Sequence, residues 1–461
     1  MKTKRYLGRN AIVLGLGVTG LSLARHLVEH GASVRVADTR DDPPNRDALA
    51  RSLPQVELLT GDFSDATFAG ADMIAISPGV AQRHPAIRAA VDNGTELVGD
   101  IELFARALPA DQKVLAITGT NGKSTVTALT GALATAAGLT TIVGGNIGNA
   151  VLDALQPIEA GAPWPNVFVL ELSSYQLETT ESLAPIAAAV LNVSANHMDR
   201  YAGIADYAAT KARIFAKASV QVLNRDDPIV RLMRLPGHVA QTFGAAVPLS
   251  EEEWGIVARK DGAWLARGGD LVMQASRLTL VGGHNAQNAL AALALASSVA
   301  KLNRPMLDAL AAFRGLPHRM ARVAESGDVL FVDDSKGTTV AATRAALAGI
   351  DRPVVLIAGG DGKGQSFVPL RESVERTCRA VLLIGRDAPQ IERALAGSSV
   401  RVENVGTLDA AVARAIAIAR PGDVVLLSPA CASLDQFRDY TERGRRFAEL
   451  VRAELAEHVD A

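Results

Sequence analysis

Short apolar runs followed by clusters of glycine and polar residues recur along most of the chain. Runs that predict buried strands cover residues 33–37, 72–76, 114–118, 140–143, 167–170, 187–192, 220–223, 329–332, 354–358, 380–384 and 424–427. Alanine- and leucine-rich helical stretches separate many of them, so the pattern predicts the α/β class with parallel sheets. Because parallel strands end at one edge of a sheet, we expect the polar clusters to gather ligand groups there.

Two breaks in this pattern divide the chain. Pro109 and polar residues interrupt it near 107–111, and it breaks again near Gly315–Arg319. A chain of 461 residues is also too long for one core. We therefore predict three domains, at 1–108, 109–315 and 316–461. Within the second, residues 231–280 have short alternating segments with Gly/Asp turns, which predict a small antiparallel sheet appended to the domain.

Composition limits the classes of partner. Hydrophobic residues make up 48% of the chain and charged residues 21%, and the net charge is −2. This balance gives no sign of a nucleic-acid or membrane-attracting surface, so we expect small-molecule partners. Two cysteines exclude a disulfide framework and a CxxC metal site and fit a reducing compartment. The basic, then apolar N-terminus fits a first strand better than a signal peptide, and no apolar stretch is long enough to cross a bilayer, so we predict a cytoplasmic location.

The segment from Gly119 to Thr125, GTNGKST, lies between a predicted strand and a predicted helix. Its two glycines let backbone N–H groups converge on an anion, and the helix N-terminus and Lys123 add positive charge. Ser124 or Thr125 offers a hydroxyl to Mg²⁺. The segment departs from GxxxxGK[ST], because Ile117 occupies the place of the first glycine. It predicts a shortened phosphate-binding loop rather than a plain Gly/Asn turn.

A second glycine-rich segment, Gly15 to Gly20, follows the first predicted strand and is followed by Asp38 at the end of the next. This matches the dinucleotide fingerprint, in which an acidic residue about 20 positions on can bind a ribose hydroxyl. A lone GxGxxG is weak evidence. It predicts a nucleotide-like diphosphate at this helix N-terminus without specifying NAD.

Other polar residues follow successive strands and can serve the phosphate loop. Glu171 is a candidate Mg²⁺ ligand, with His197 and Lys211 after the next strand. Arg319 and Lys336 can pair with phosphate or neutralise developing charge. Taken singly, each has a structural alternative, since strand-end carboxylates are usually solvated and lone histidines usually pack or cap.

Ten segments occur in the order and approximate spacing of one family. They are GTNGKST, GGNIG, ELSSYQLE, NVSANHMDRY, TKARIF, GGHNAQN, GLPHRM, DDSKGTT, GGDGKG and SPACASLDQF. Over essentially its whole length the chain resembles the Mur ligase family. The resemblance implies Rossmann-like N- and C-terminal domains around a central P-loop-type ATPase domain. It also implies an ATP-dependent amide ligase that joins D-glutamate to UDP-N-acetylmuramoyl-L-alanine through an acyl phosphate, giving ADP and phosphate, in cytoplasmic peptidoglycan precursor synthesis.

The resemblance also assigns site residues. Those matching the uridine-nucleotide substrate are Val18, Thr19, Asp38, Thr39, Ser77, Gly79, Asn146 and Gln176. Those matching ATP are Gly119, Thr120, Asn121, Gly122, Lys123, Ser124, Thr125, Asn285, Asn288, Arg319 and Asp334. Those matching D-glutamate are His197, Lys336, Thr338, Lys363, Ser433, Leu434 and Tyr440. Those matching two Mg²⁺ sites are Ser124, Glu171, His197 and Lys211, and the implied catalytic set is Lys123, Glu171, His197, Lys211 and Lys336.

Two assigned residues raise further expectations. Lys211 matches the lysine that the family carries as a carbamate, an anion that suits Mg²⁺ better than an ammonium group does; the alternative is an unmodified lysine paired with an acid. Tyr440 stands where relatives place phenylalanine, which leaves the shape of the glutamate pocket open. We expect a monomer.

Other functions remain alternatives on the sequence alone. A nicotinamide-dependent dehydrogenase would leave GTNGKST and the third domain unexplained. A nucleotide-dependent switch or binding protein would lack ligase chemistry. A sister ligase for another amino acid and a folylpolyglutamate synthetase share the ATP machinery, but SPACASLDQF and GLGVTGLS argue against both.

Overall fold

The computed structural model describes residues 4–198, 200–280, 284–362 and 364–457. Its described residues form two compact units. The first comprises residues up to Val257 together with Ala266–Leu271 and Leu290–Leu307. The second comprises Ala258–Leu265, Val272–Ala289 and the residues from Asp308 onward. Among all the residues that the structure describes, no helix combines the length and apolarity needed to cross a membrane.

A five-stranded parallel sheet forms at the start of the first unit, in the order β3-β2-β1-β4-β5. Its strands are β1 Asn10–Leu14, β2 Ser33–Asp38, β3 Glu57–Thr60, β4 Met73–Ile76 and β5 Glu96–Val98. Its helices are α1 Val18–Glu29, α2 Arg46–Ser52, α3 Asp65–Phe68, α4 Pro85–Asp92 and α5 Asp100–Ala107. The chain changes direction across the sheet between β1 and β4. Parallel sheets bind ligands beyond the carboxyl ends of such a pair.

A nine-stranded sheet follows, in the order β14-β13-β12-β11-β10-β9-β6-β8-β7. Its strands are β6 Lys113–Thr118, β7 Thr141–Gly145, β8 Val167–Glu171, β9 Ala187–Val190, β10 Val220–Asn224, β11 Val239–Phe243, β12 Glu253–Arg259, β13 Gly262–Arg267 and β14 Asp270–Gln274. The helices are α6 Lys123–Ala136, α7 Leu155–Glu159, α8 Ser174–Leu177, α9 Ile204–Ala212, α10 Pro228–Arg231, α11 His284–Ala296 and α12 Arg304–Ala312, with short 3₁₀ helices at Val151–Ala154, Arg213–Phe215 and Ala275–Arg277. β6 lies between β8 and β9, so the phosphate loop, Glu171 and the loop after β9 share one sheet edge.

The prediction of a small antiparallel sheet appended to the domain at residues 231–280 was wrong in one respect, because these strands do not form a sheet of their own. β11–β14 continue the central sheet, and β11 pairs in parallel with both β10 and β12. A strand edge presents unpaired N–H and C=O groups, and an added strand satisfies them. The alternating pattern predicted strands correctly, but it could not specify which edge they would join.

A six-stranded sheet forms in the second unit, in the order β15-β16-β20-β17-β18-β19. Its strands are β15 Ala321–Ser326, β16 Val329–Asp333, β17 Val354–Gly359, β18 Cys378–Ile384, β19 Arg401–Gly406 and β20 Val424–Leu427. Its helices are α13 Val340–Ala348, α14 Leu370–Thr377, α15 Ala388–Ala394, α16 Leu408–Ile418 and α17 Tyr440–Glu457. Only β15 runs antiparallel among the described strands of this sheet. The central strands are buried on both faces, as their continuous apolar sequences predict. The α/β class is therefore confirmed.

Candidate active site

Glycine shapes the loop between β6 and α6. Gly119 and Gly122 have φ values of 158° and 80°, and Gly122 is the residue before the helix. A Cβ atom on Gly119 would lie 3.0 Å from the Cβ atom of Leu191. The backbone therefore turns sharply into the helix, whose first-turn N–H groups have no acceptor within the helix and can bind an anion.

The loop after β9 fixes this turn from one side. The Thr120 N–H donates to the Asn192 carbonyl at 2.9 Å, and the Asn121 N–H donates to the Asn192 side-chain oxygen at 2.8 Å. The Asn192 amide donates back to the Asn121 carbonyl at 3.1 Å. Our sequence reasoning missed Asn192, although its position at the end of a predicted strand was an available signal.

The Lys123 side chain is directed back toward the loop that precedes it. Its Nζ donates to the Gly119 carbonyl at 2.9 Å and to the Thr120 carbonyl at 2.8 Å. These two hydrogen bonds place the ammonium group beside the turn that the glycines form. A positive charge at this position would attract a phosphate group.

Glu171, the last residue of β8, is buried next to the first turn of α6. Its two carboxylate oxygens accept hydrogen bonds from the Ser124 hydroxyl at 2.5 Å and the Asn146 amide at 2.8 Å. A Cβ on Gly145 would lie 2.3 Å from the Glu171 carbonyl oxygen, so a glycine is required beside it. Carboxylate and hydroxyl oxygens are hard donors, and the Ser124–Glu171 pair therefore fits Mg²⁺.

Lys211, on α9, is 1% exposed and lies at the same turn. Its Nζ donates to the Gly119 carbonyl at 2.9 Å and to the Thr118 hydroxyl at 3.3 Å, and it lies 4.5 Å from the centroid of the Tyr207 ring. Burial, and then the charge of Lys123, lower the pKa of Lys211 to about 6. The two hydrogen bonds of this lysine go to neutral oxygens, and the charge of Glu171 opposes the lowering of its pKa.

His197 lies against aromatic side chains in the loop after β9. Its Nδ1 is 2.7 Å from the Tyr175 hydroxyl, and the two ring centroids are 4.8 Å apart. The Arg200 guanidinium lies over the same Tyr175 ring, 4.0 Å from its centroid. It donates hydrogen bonds of 2.9 and 2.5 Å to the Glu178 carboxylate. Arg200 also donates to the Pro78 carbonyl at 3.1 Å. Sequence reasoning missed this Tyr175–Glu178–Arg200 support.

A cavity of about 890 Å³ opens beyond the carboxyl ends of β1 and β4. The residues predicted to bind the uridine nucleotide all line it, namely Val18, Thr19, Asp38, Thr39, Ser77, Gly79, Asn146 and Gln176. The N-terminus of the 12-residue helix α1 opens into it, where backbone N–H groups can bind an anion. The structure adds Arg40, Phe63, Arg83 and His84, which lie in loops without a motif.

Internal hydrogen bonds hold two of these cavity residues. The Asp38 carboxylate accepts from the Leu16 N–H at 2.6 Å and from the Arg40 guanidinium at 2.8 and 2.6 Å. The hydrogen bonds from Arg40 lower the pKa of Asp38 to about 2. The Gln176 amide donates to the Asp100 carboxylate at 2.9 Å, and its oxygen accepts from the Ser173 N–H. In this arrangement Asp38 shapes the wall of the cavity through Arg40.

In the second unit, acidic residues gather at the end of β16. Asp333 bonds the His318 ring at 2.6 Å, and Asp334 accepts from the Ser428 hydroxyl at 2.7 Å. Burial raises the pKa of Asp334 to about 7, and the charge of the nearby Arg319 opposes this rise. The charge of Arg319 therefore acts directly on Asp334.

The residues matching D-glutamate lie in neighbouring loops of this unit. Lys336 Nζ is 5.1 Å from the centroid of the Tyr440 ring, and Thr338 follows two residues later. Ser433 is buried and Leu434 is exposed in the loop after β20. Lys363 lies outside the described residues. His197 lies in the first unit.

A buried arginine supports the glutamate-matching loops, and sequence reasoning missed it. Arg443, 1% exposed, donates to the Ser335 hydroxyl at 3.0 Å and to the Cys431 carbonyl at 3.1 Å. The sequence carried no spacing signal for Arg443 within its charged helix.

The remaining ATP-matching residues lie on α11, where the Asn288 amide donates to the Asn285 side-chain oxygen at 2.9 Å.

Comparisons with known proteins agree along the chain. Residues 9–99 match the Mur ligase MurD-like N-terminal domain, 117–296 the Mur ligase middle domain, and 318–431 the Mur ligase glutamate ligase domain. The chain is 53% identical over 449 residues to the UDP-N-acetylmuramoylalanine–D-glutamate ligase of Chromobacterium violaceum, covering 97% of this chain and 98% of that one. It is 52% identical to the enzyme of the same name from Aromatoleum aromaticum, covering 96% and 97%.

Solved structures share the fold at low sequence identity. The UDP-N-acetylmuramate-alanine ligase of Thermotoga maritima has a TM-score of 0.57 at 19% identity, covering 96% of this chain and 99% of that one. A pseudomurein peptide ligase of Methanothermus fervidus has a TM-score of 0.57 at 20% identity, covering 96% and 100%. With the three domain matches and relatives above 50% identity over nearly the whole length, the chain belongs to the Mur ligase family.

Proposed function

We propose that this protein is the ATP-dependent ligase that joins D-glutamate to UDP-N-acetylmuramoyl-L-alanine in peptidoglycan precursor synthesis. The observation that carries the proposal is the Ser124–Glu171–Asn146 cluster. It couples a magnesium-type carboxylate to the phosphate loop and, through Asn146, to the cavity that the uridine-nucleotide residues line. The relatives that are 48–53% identical all carry the name of this D-glutamate ligase.

The chemistry follows from what the residues can do. The substrate carboxylate attacks the γ-phosphorus of ATP, and ADP leaves as the acyl phosphate forms. The amino group of D-glutamate then attacks the acyl carbon, phosphate leaves, and the nitrogen loses a proton. Lys123 and the N–H groups of the loop stabilise charge on the transferring phosphoryl group. A carboxylate oxygen is a poor leaving group, and its phosphorylation converts it into phosphate, which is a good leaving group.

Magnesium fits the first unit. Ser124 and Glu171 would hold one ion, and Lys211 as a carbamate would join His197 at a second. When bound, the ions neutralise phosphate charge. A carbamate at Lys211 would exchange repulsion from Lys123 for attraction, which supports this modification.

The remaining assignments follow the family. The cavity would bind the uridine nucleotide, with its diphosphate at the N-terminus of α1. Lys336, Thr338, Lys363, Ser433, Leu434 and Tyr440 would bind D-glutamate, with cations facing carboxylates. Asn285, Asn288, Arg319 and Asp334 would complete the ATP site.

We infer that the protein has three domains, with Rossmann-like domains at 1–108 and 316–461 around a P-loop-type ATPase domain at 109–315. The order 3-2-1-4-5 of the first sheet supports the first of these labels. We further propose a monomer that works in the cytoplasm, where ATP is available.

Phosphate release tests the function. The full chain would be incubated with ATP, Mg²⁺ and UDP-N-acetylmuramoyl-L-alanine, and D-glutamate would be compared with L-glutamate and other amino acids. We expect release with D-glutamate only, and mass spectrometry should detect the amide product. Equal release with another amino acid would replace the proposal with a sister ligase, and no release with any acceptor would leave a nucleotide-binding protein.

A further inference from the structure

Two histidines and a glutamate meet at the far end of the helix that opens into the nucleotide cavity. His26 lies in the last turn of α1, and His30 follows its end, so the two are four residues apart on one helix face. Glu159 is the last residue of α7. One ligand atom from each of the three lies within 4.8 Å of the others, and both histidines are at most 6% exposed.

The hydrogen bonds of His30 identify what this cluster requires. Its Nδ1 is 2.7 Å from the His26 carbonyl oxygen, which can only accept, so Nδ1 carries a hydrogen. Its Nε2 is 3.1 Å from the Glu159 carboxylate, which also accepts. In the neutral tautomer that Nδ1–H specifies, two lone pairs would therefore face each other. A positive species must lie between them, either a second proton or a metal cation.

Three features favour the metal. Metal-binding histidines usually donate their other ring N–H to a carbonyl or carboxylate, as His30 does. The C-terminal end of α1 carries partial negative charge, which attracts a cation. The ligand atom of His26 lies within 4.8 Å of those of His30 and Glu159, so a single cation can reach all three side chains.

The donor set specifies the class of metal. Two imidazole nitrogens and one carboxylate oxygen suit Zn²⁺ and similar transition metals, with a fourth position left for water. Magnesium prefers oxygen ligands and suits the Ser124–Glu171 pair better. Tyr6 packs edge-on against both imidazoles, with centroids 6.2 and 6.3 Å away, and provides an apolar wall.

We propose that His26, His30 and Glu159 form a structural site for a transition-metal dication of the Zn²⁺ class. The metal would join α1 to α7, close to the 2.6 Å hydrogen bond that Ser22 of α1 donates to Asp153 in the 3₁₀ helix before α7. The helix that presents its N-terminus to the nucleotide cavity would thus be fixed at its other end. The site involves none of the residues assigned to ATP, substrate or Mg²⁺.

Cobalt is the probe for the test. The full chain would be treated with EDTA, returned to buffer with excess Mg²⁺ to fill oxygen-ligand sites, and titrated with Co²⁺. We expect the visible absorption band of tetrahedral Co²⁺ to saturate at one equivalent and to disappear when Zn²⁺ is added. Zn²⁺ should also raise the melting temperature, because it binds the folded state.

Variants locate the metal. Glu159→Gln keeps a hydrogen-bonding group beside His30 and should fold, yet it should weaken Co²⁺ binding at least about tenfold, as should His30→Gln. His238→Gln, at an exposed histidine, is the matched control and should bind as the parent does. Absence of the band would overturn the proposal in favour of a protonated His30–Glu159 pair. A band of unchanged strength in Glu159→Gln would overturn it by locating the metal elsewhere.

Discussion

Substitution of Lys211 by alanine gives the sharpest test of the catalytic centre. The lysine amine is buried, bonds neutral oxygens at the phosphate loop, and has a pKa of about 6. We propose that it reacts with CO₂ to form a carbamate that helps to hold Mg²⁺. Because only a neutral amine attacks CO₂, the lowered pKa bears directly on whether this reaction occurs.

The size of the effect follows from the pKa. At pH 7.5 an ordinary lysine with a pKa of 10.5 is about 0.1% neutral, whereas one with a pKa of about 6 is about 97% neutral. Burial therefore raises the reactive fraction about a thousandfold. An exposed lysine such as Lys217 lacks this advantage and should stay unmodified under the same conditions.

Three measurements check this reasoning. Lys211→Ala should lower the rate of phosphate release by at least about a hundredfold, since it removes a ligand from the metal site. Acetate or propionate should restore part of the rate by supplying the missing carboxylate. The parent protein, but not the variant, should give a carbamate resonance in ¹³C NMR after addition of ¹³C-bicarbonate. Lys217→Ala is the matched control and should keep the parent rate.

Two results would refute the argument. Full activity of Lys211→Ala would show that no carbamate is needed. Loss of activity without rescue, together with no carbamate signal in the parent, would make Lys211 a packing or charged residue of the loop. Circular dichroism of the variant separates either result from unfolding.

Three further predictions concern the other charged groups. Lys123→Ala should abolish phosphate release, because it removes the full positive charge at the loop, and a coupled phosphate assay measures this. Asp38→Asn should raise the KM for the uridine-nucleotide substrate about tenfold with little change in kcat, because it frees Arg40 and the Leu16 N–H at the cavity wall. As the pH rises from 5 to 8, the free energy of unfolding of Asp334→Asn should increase relative to that of the parent by about 2 kcal/mol, as measured by urea unfolding.

The sign of the last effect follows from linkage. Burial raises the pKa of Asp334 from an ordinary value of 3.8 to about 7, so the parent loses stability as the pH rises between these two values, and the asparagine variant does not. A difference between the two proteins that stays constant with pH would contradict this. The matched controls at exposed positions are Lys113→Ala for Lys123→Ala, Asp41→Asn for Asp38→Asn, and Asp351→Asn for Asp334→Asn. Phosphate release by Lys123→Ala, or an unchanged KM in Asp38→Asn, would remove the role given to that residue.

Strands were predictable where burial is complete. The continuous apolar runs at β6, β8, β17 and β20 identified the central strands, because a strand covered on both faces has no polar side to alternate with. Edge strands such as β3 are short and half exposed, and their sequences carry a weaker signal. Their pairing depends on which neighbouring edge is available.

Site residues divide in the same way. GTNGKST and GLGVTGLS specify local turns that glycine and a helix N-terminus build, so nearby residues alone predict an anion site. Asn192 and Arg443 act through Asn121 and Ser335, which are far away in the sequence, and no short motif records such distances. The His26–His30 spacing was present in the sequence, but it acquires chemical meaning only beside Glu159.

The sequence by itself determined the α/β class, the order of the strands along the chain, the shortened phosphate loop and, through its motifs, the resemblance to the Mur ligases. These features depend on local periodicity and on residues close together in the chain. The tertiary structure alone decided that β11–β14 extend the central sheet, that the Leu16 N–H donates to Asp38, and that burial brings the pKa of Lys211 to about 6. Solvation and long-range contacts set these properties, because they depend on atoms that the fold brings together from distant parts of the chain.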